Sequence, residues 1–198
     1  LGKTAVLGLG YGMGKDKFLL TCQQAGMPVD AGLAERAVRT FRTMFKEVPA
    51  LWRRLEDEAM RTMGGFYRND KYRDFLCFRL PSGRELRYYK AKVEDGEIKY
   101  LSKEAGSKDL VWRGTYSGRL CENAVQAMAR DVMADAMLNL HRAGFKIVLT
   151  VHDEIVVTVP KADAEKRRLE LERIMKTAPA WANGLPLNVE SEICTKYK

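Results

Sequence analysis

The sequence predicts an α+β chain, and three observations carry that prediction. Apolar residues recur at helical spacing from Ala31 to Met63. A long helix is expected from about Gly118 to Arg142, with apolar and polar side chains on opposite faces. Strand-type runs fill two blocks, 66–101 and 147–159. With 198 residues, 46% of them hydrophobic and 30% charged, the chain has material for one core and a smaller appendage. No apolar run reaches the ~18 residues of a membrane span, which excludes an integral membrane helix. Against 26 Asp and Glu stand 34 Lys and Arg, a formal charge of +8. Such a balance favours an anionic partner, nucleic acid first.

Taken in order, residues 1–9 read as a helix that the glycines Gly8, Gly10, Gly12 and Gly14 must break. Phe18, Leu19, Cys22 and Ala25 mark a second short helix, closed by Gly26 and Pro28. In the 31–63 stretch Leu33, Ala37, Phe41, Met44, Phe45 and Val48 share a face, and Pro49 is the expected kink or boundary. Its outer side is basic, with Arg36, Arg39, Arg42 and Lys46.

From 66 to 101 the period changes, and turns at Pro81-Ser82-Gly83 and Glu94-Asp95-Gly96 predict hairpins. Between Phe66 and Lys92 eight Lys or Arg face three Asp or Glu, interleaved with Tyr67, Tyr72, Phe75, Phe78, Tyr88 and Tyr89. Two readings fit this block: contact with nucleic acid, or a hairpin core of aromatics with a charged, soluble edge.

The long helix carries Cys121, Val125, Met128, Val132 and Ala136 on one face and Arg119, Asn123, Gln126 and Arg130 on the other. After Gly144 the run Ile147–Val151 stops at His152-Asp153-Glu154 and resumes as Ile155–Val159, predicting two buried strands joined by a three-residue connection. An amphipathic helix over 161–176 follows, and Leu185, Leu187 and Val189 alternate as a closing strand.

The four cysteines, Cys22, Cys77, Cys121 and Cys194, form neither a CxxC pair nor a compact disulfide framework, so a reducing compartment is expected. No signal peptide is read at the N-terminus. Gly2-Lys3-Thr4 lacks the rest of a phosphate-binding P-loop, and Met13 stands where a dinucleotide fingerprint needs glycine. The chemistry that remains is at the 152–154 turn. Carboxylates fixed on a sheet suit Mg²⁺, although the same residues in a turn also serve capping and solubility. A two-metal site needs a further carboxylate from elsewhere.

The segment from Lys3 through Leu7 and Gly8 to Tyr11 and Gly12 resembles the second half of motif B of family A DNA polymerases, K-x3-[FYL]-G-x2-Y-G, at each specified position. Val151-His152-Asp153-Glu154 resembles motif C of that family, and the run from Glu122 to Asp131 resembles its palm helix in phage-type members. Leu80-Pro81-Ser82-Gly83-Arg84, Trp112 and the Gly114–Gly118 approach also resemble phage and prophage polymerases, so the likeness spans nearly the whole chain.

That resemblance implies polymerase fingers helices over 1–65, an inserted basic β-rich appendage over 66–112, and a palm with an antiparallel hairpin over 113–198. It implies template-directed DNA synthesis, in which a primer 3′-hydroxyl attacks the α-phosphate of a dNTP with two Mg²⁺ ions in attendance. Lys3 would contact the triphosphate and protonate the leaving pyrophosphate. Leu7 would lie on the sugar and base, and Tyr11 with Gly12 beside the nascent pair and the templating base. Asp153 would be the catalytic metal ligand, Glu154 its support, and His152 would approach the primer terminus. Arg119, Asn123 and Gln126 would read the minor groove of the primer-template duplex. Arg36, Arg39, Lys71 and Arg84 would add salt-sensitive phosphate contacts.

Leu7 replaces a frequent aromatic of cellular members, so sugar selectivity does not carry over. In the family, motif A and the motif B arginine precede Lys3. An N-terminal polymerase portion carrying motif A is therefore the expected partner, and the chain is expected to be inactive alone. The host cytoplasm is the expected location. Two other readings compete: a relative of the single-subunit RNA polymerases, and a catalytically inactive nucleic-acid-binding fragment.

Overall fold

The computed structural model describes residues 1–63, 74–104 and 106–197. Helices α1 (Gly2–Leu9), α2 (Lys15–Gln24), α3 (Ala31–Met44) and α4 (Glu47–Met63) come first. Strands β1 (Phe75–Arg79), β2 (Glu85–Glu94), β3 (Glu97–Lys103) and β4 (Leu110–Thr115) follow. Helix α5 (Ser117–Arg142), strands β5 (Lys146–Val151) and β6 (Glu154–Thr158), and helix α6 (Ala164–Met175) complete an α+β fold. The chain divides into two compact units, one of residues 1–79 and 85–125, the other of 80–84 and 126–198.

Local chemistry explains the helix ends of the first unit. Asp30 Oδ1 accepts the Leu33 amide at 2.6 Å and caps α3. Gly26, at φ +69°, closes α2 while the Met27 amide reaches back to the Cys22 carbonyl at 2.9 Å. The break between α3 and α4 falls at residues 45–46, so Pro49 sits inside α4 rather than at the boundary. Near a helix start its missing N–H has no intrahelical partner to lose. Leu9, Phe18, Cys22, Val29, Ala34 and Val38 bury one core among α1, α2 and α3.

A second core in the same unit joins Ala59 of α4 and Leu120 of α5 to Leu76, Phe78, Tyr88 and Ile98 of the sheet. The sheet is an antiparallel meander in the order β1-β2-β3-β4. Asp95 (φ 54°) and Gly96 (φ 77°) form the two-residue link between β2 and β3, the turn type that matches strand twist. A register irregularity between Tyr89 and Lys92 surrounds Lys90, which also has positive φ. Strand β4 extends the β block beyond the 66–101 stretch read from the sequence. Phe66, Tyr67, Lys71 and Tyr72 lie outside the described residues.

In the second unit, β5 and β6 pair as a two-stranded sheet. Ile147, Ile155, Val157 and Val159 pack on Leu140, Phe145, Leu171 and Ile174. The hairpin is not buried throughout: Val148 is 50% and Leu149 42% exposed. Val148 lies inside the register irregularity between Ile147 and Leu149, which breaks the simple alternation expected of a half-buried strand. Gly144, at φ +76°, ends α5, and the Phe145 amide returns to the Leu140 carbonyl at 3.0 Å. No strand forms at Leu185–Val189. The segment is tied by side chains instead, Ser191 Oγ donating to Glu172 Oε1 at 2.5 Å and Arg168 reaching Ser191 Oγ at 3.1 Å.

Candidate functional site

Lys3 and Leu7, four positions apart on α1, share a face, and both are exposed, Leu7 by 56%. Leu9, on another face of the same helix, is buried in the first core. Tyr11 lies past the helix end in the glycine turn, where two contacts fix the backbone. Trp52 Nε1 donates to the Gly10 carbonyl at 3.0 Å from the buried side of α4. On the other side the Tyr11 carbonyl comes so close to Gly118 that a Cβ there would meet its oxygen at 2.1 Å. Gly12 adopts φ +84°, a conformation that L side chains rarely take. The Tyr11 phenol is pushed above its ordinary pKa, first by burial and then by the negative charge of Glu122, so it stays a hydrogen-bond donor.

Arg119, Asn123, Gln126 and Arg130 all lie on α5, as the helical wheel requires. Arg119 is exposed, its guanidinium 5.8 Å from the Tyr116 ring centroid. Asn123 is half-buried and donates its amide to the Tyr88 hydroxyl at 3.0 Å. Gln126 and Arg130, in the second unit, are exposed. On the apolar side Cys121 and Ala136 are buried, but Val125 is 37% exposed. The buried face turns along the helix: Leu120 and Leu140, the most enclosed residues at its two ends, point about 200° apart at 100° per residue.

The β5–β6 turn holds two residues, His152 and Asp153. Glu154 is already the first residue of β6, opposite Val151, so the three-residue connection is one residue too long. His152 takes φ +51° at the first turn position. A two-residue hairpin needs positive φ there to follow the strand twist, and histidine tolerates it better than most residues. His152 and Asp153 are both exposed. The Asp153 carboxylate has no side-chain hydrogen bond or ion pair among the described residues. Glu154 accepts a hydrogen bond from the Tyr197 hydroxyl at 3.1 Å.

Among the described residues no cluster of three or more His, Cys, Asp or Glu side chains could hold a metal ion. A carboxylate with no partner among the described residues, at the tip of a two-residue turn, nonetheless fits one ligand position of a hydrated Mg²⁺, which binds through one or two protein carboxylates. Arg84, expected on phosphate, is paired with Asp131 at 2.7 Å. Arg36 and Arg39 are exposed on α3, and Arg39 helps line a cleft of about 370 Å³ with Lys15, Glu35, Val38, Arg42 and Thr43.

Sequence reasoning missed Trp52 and Tyr197, which act through contacts made by tertiary packing and are marked by no local motif. It read Glu122 as part of the palm-helix resemblance but not as the charge beside Tyr11. No described helix is long and apolar enough to cross a membrane.

The chain is 34% identical over its whole length to a DNA polymerase of Bacillus phage SP02. It covers 32% of that protein, about a third of its length. Over 54 residues, 26% of the chain, it is 35% identical to a DNA polymerase of Mycobacterium phage L5, of which it covers 9%. The model of the family described as DNA polymerase family A matches residues 1–198, and the chain belongs to that family.

Proposed function

We propose that the chain is the fingers and palm portion of a phage-type polymerase that carries out template-directed DNA synthesis. The observation that carries the reading is the Asp153 carboxylate, unpaired among the described residues, at the tip of a two-residue hairpin, inside a family match that covers every residue. In this reading residues 1–65 form the fingers, the β block is an insertion, and 113–198 belong to the palm.

Asp153 would hold Mg²⁺ with a second carboxylate supplied by polypeptide carrying motif A, and the metal would activate the primer hydroxyl and steady the pyrophosphate. Lys3, exposed on α1, would bind the triphosphate and deliver a proton to the leaving group. Leu7, one turn further on, would bear on the sugar and base. Tyr11 and Gly12 would support the nascent pair on a backbone that Trp52 and Gly118 hold still, with the protonated Tyr11 phenol as donor. Arg119, Asn123 and Gln126 would donate to minor-groove acceptors, and His152 would meet the primer end. Glu154, held by Tyr197, would support Asp153.

The test is Asp153→Ala in a complete polymerase carrying this segment. Synthesis should fall by several orders of magnitude while primer-template affinity stays within a few-fold. Undiminished synthesis would remove the assignment. The 198-residue chain by itself should extend no primer.

A further inference from the structure

We propose that the outward face of the four-stranded sheet binds single-stranded DNA, with unpaired bases stacking on a row of aromatic side chains and lysines beside the row taking the phosphates. The strand register draws the row. Phe75 stands opposite Tyr89, Tyr89 opposite Leu101, and Leu101 opposite Trp112, one residue from each strand. Directly paired residues share a face, so these four side chains cross the whole sheet, about 15 Å at the usual strand spacing. Leu76 and Tyr88, next in sequence to Phe75 and Tyr89, and Ile98, three positions before Leu101, point the other way, into the core with Ala59 and Leu120. The row is therefore the face that this core leaves uncovered. Trp112 is 48% and Phe75 39% exposed.

Charge selects the occupant. Lys90 Nζ lies 5.5 Å from the Tyr89 ring centroid and Lys92 Nζ 4.2 Å from that of Trp112, so two of the row's three aromatic rings each stand beside an ammonium. Lys92 is also directly opposite Lys99, a like-charge pairing that a sheet disfavours. Both lysines share one carboxylate, Glu94, at 2.8 Å each. Asp95 and Glu97 also act on Lys99, so the surplus belongs to the sheet as a whole, nine Lys or Arg against six Asp or Glu over residues 75–115, which a phosphate backbone would neutralise. Aromatic faces beside backbone-tracking cations are the means by which proteins hold unpaired nucleotides. A duplex keeps its base faces stacked inside, so the single strand is the form that fits.

The experiment measures binding of labelled oligothymidylate to the 198-residue chain by fluorescence anisotropy, with a primer-template duplex measured in parallel. Trp112→Ala should weaken oligothymidylate binding by about tenfold, the effect of one lost stacking contact. Trp112→Phe should keep most of the affinity, and duplex binding should change less than twofold in both variants. In the unaltered chain, oligothymidylate should quench tryptophan emission, and Trp112→Phe should abolish that part of the quenching, a readout independent of how well the alanine variant folds.

Unchanged oligothymidylate affinity in Trp112→Ala together with unchanged quenching in Trp112→Phe would overturn the proposal. So would a shift of sedimentation from dimer to monomer in Trp112→Ala without a change in oligothymidylate affinity, which would make the face a contact between copies. Loss of duplex binding alone would count against the polymerase reading and leave the sheet platform standing.

Discussion

Arg84 and Asp131 hold the tip of the β1–β2 hairpin on α5. Arg84 Nε donates to Asp131 Oδ1 at 2.7 Å, and a terminal nitrogen of the same guanidinium donates to the Ala127 carbonyl at 2.9 Å. Ser82 Oγ donates to the second Asp131 oxygen at 2.5 Å. The turn is shaped for this contact by Pro81 and by Gly83 at φ +86°, with the Gly83 amide returning to the Leu80 carbonyl at 2.8 Å.

Asp131→Ala strands both the Ser82 hydroxyl and the Arg84 guanidinium. Because the Asp131 side chain is only 11% exposed while Arg84 is half in solvent, the loss should be about 1–2 kcal/mol in urea denaturation. Arg84→Lys should recover little of it, since a single ammonium cannot serve the carboxylate and the Ala127 carbonyl as a planar fork does. Full stability in Arg84→Lys would show that the fork geometry is irrelevant.

Much of this fold was legible because short-range chemistry decided it. Asp95-Gly96 announces its turn, and Gly26 its helix end, since few other residues take those backbone angles. The β5–β6 turn was read one residue too long because its positive φ falls on a histidine, a weaker signal than glycine. Alternation at Leu185–Val189 described a segment suited to a half-buried surface, and nothing in it said whether a strand stood beside it to pair with. The clamp on Tyr11 was illegible for a different reason. Trp52 and Gly118 reach it from 41 and 107 positions away in the chain, and only packing brings them there.

Glu94 should titrate far below ordinary glutamates. Hydrogen bonds from Lys92 and Lys99, and then their charges, lower its carboxyl to about 2. A depressed folded-state pKa means that its contribution to stability is complete above the unfolded value of about 4.3 and is lost as pH falls towards 2. The group is exposed to solvent, so added salt should shrink the effect. Following the side-chain carboxyl by NMR should give a midpoint near 2 in the unaltered chain and a higher one in Lys92→Met. An unmoved midpoint would mean that the lysine is not its partner.

Ser191 should govern the attachment of the C-terminal segment to α6. Its hydroxyl is the leading reason that the Glu172 carboxyl lies below the usual range, ahead of Lys176 and Arg168. Ser191→Ala should therefore raise the Glu172 pKa, and limited proteolysis should cut the segment after residue 183 several-fold faster. If the cleavage rate stays the same, something other than this bond retains the segment.

Gly118 presents the sharpest steric test, because ordinary helix propensity points the other way. The residue lies in the first turn of α5, where alanine normally stabilises a helix by up to about 1 kcal/mol over glycine. Here a Cβ would meet the Tyr11 carbonyl oxygen at 2.1 Å, its carbon at 2.7 Å and a Tyr116 ring carbon at 2.7 Å. The ring can swing, but the carbonyl belongs to a backbone that Trp52 already holds through Gly10. Gly118→Ala must then either push the glycine turn away from α5 or distort the start of the helix, at about 1–3 kcal/mol. Gly2→Ala, where a Cβ meets nothing within 4 Å, should stay within about 1 kcal/mol of the parent. In a complete polymerase carrying this segment, displacement of Tyr11 should raise the KM for dNTP in Gly118→Ala more than it lowers kcat. The opposite split would place the effect at the chemical step rather than at the nucleotide seat.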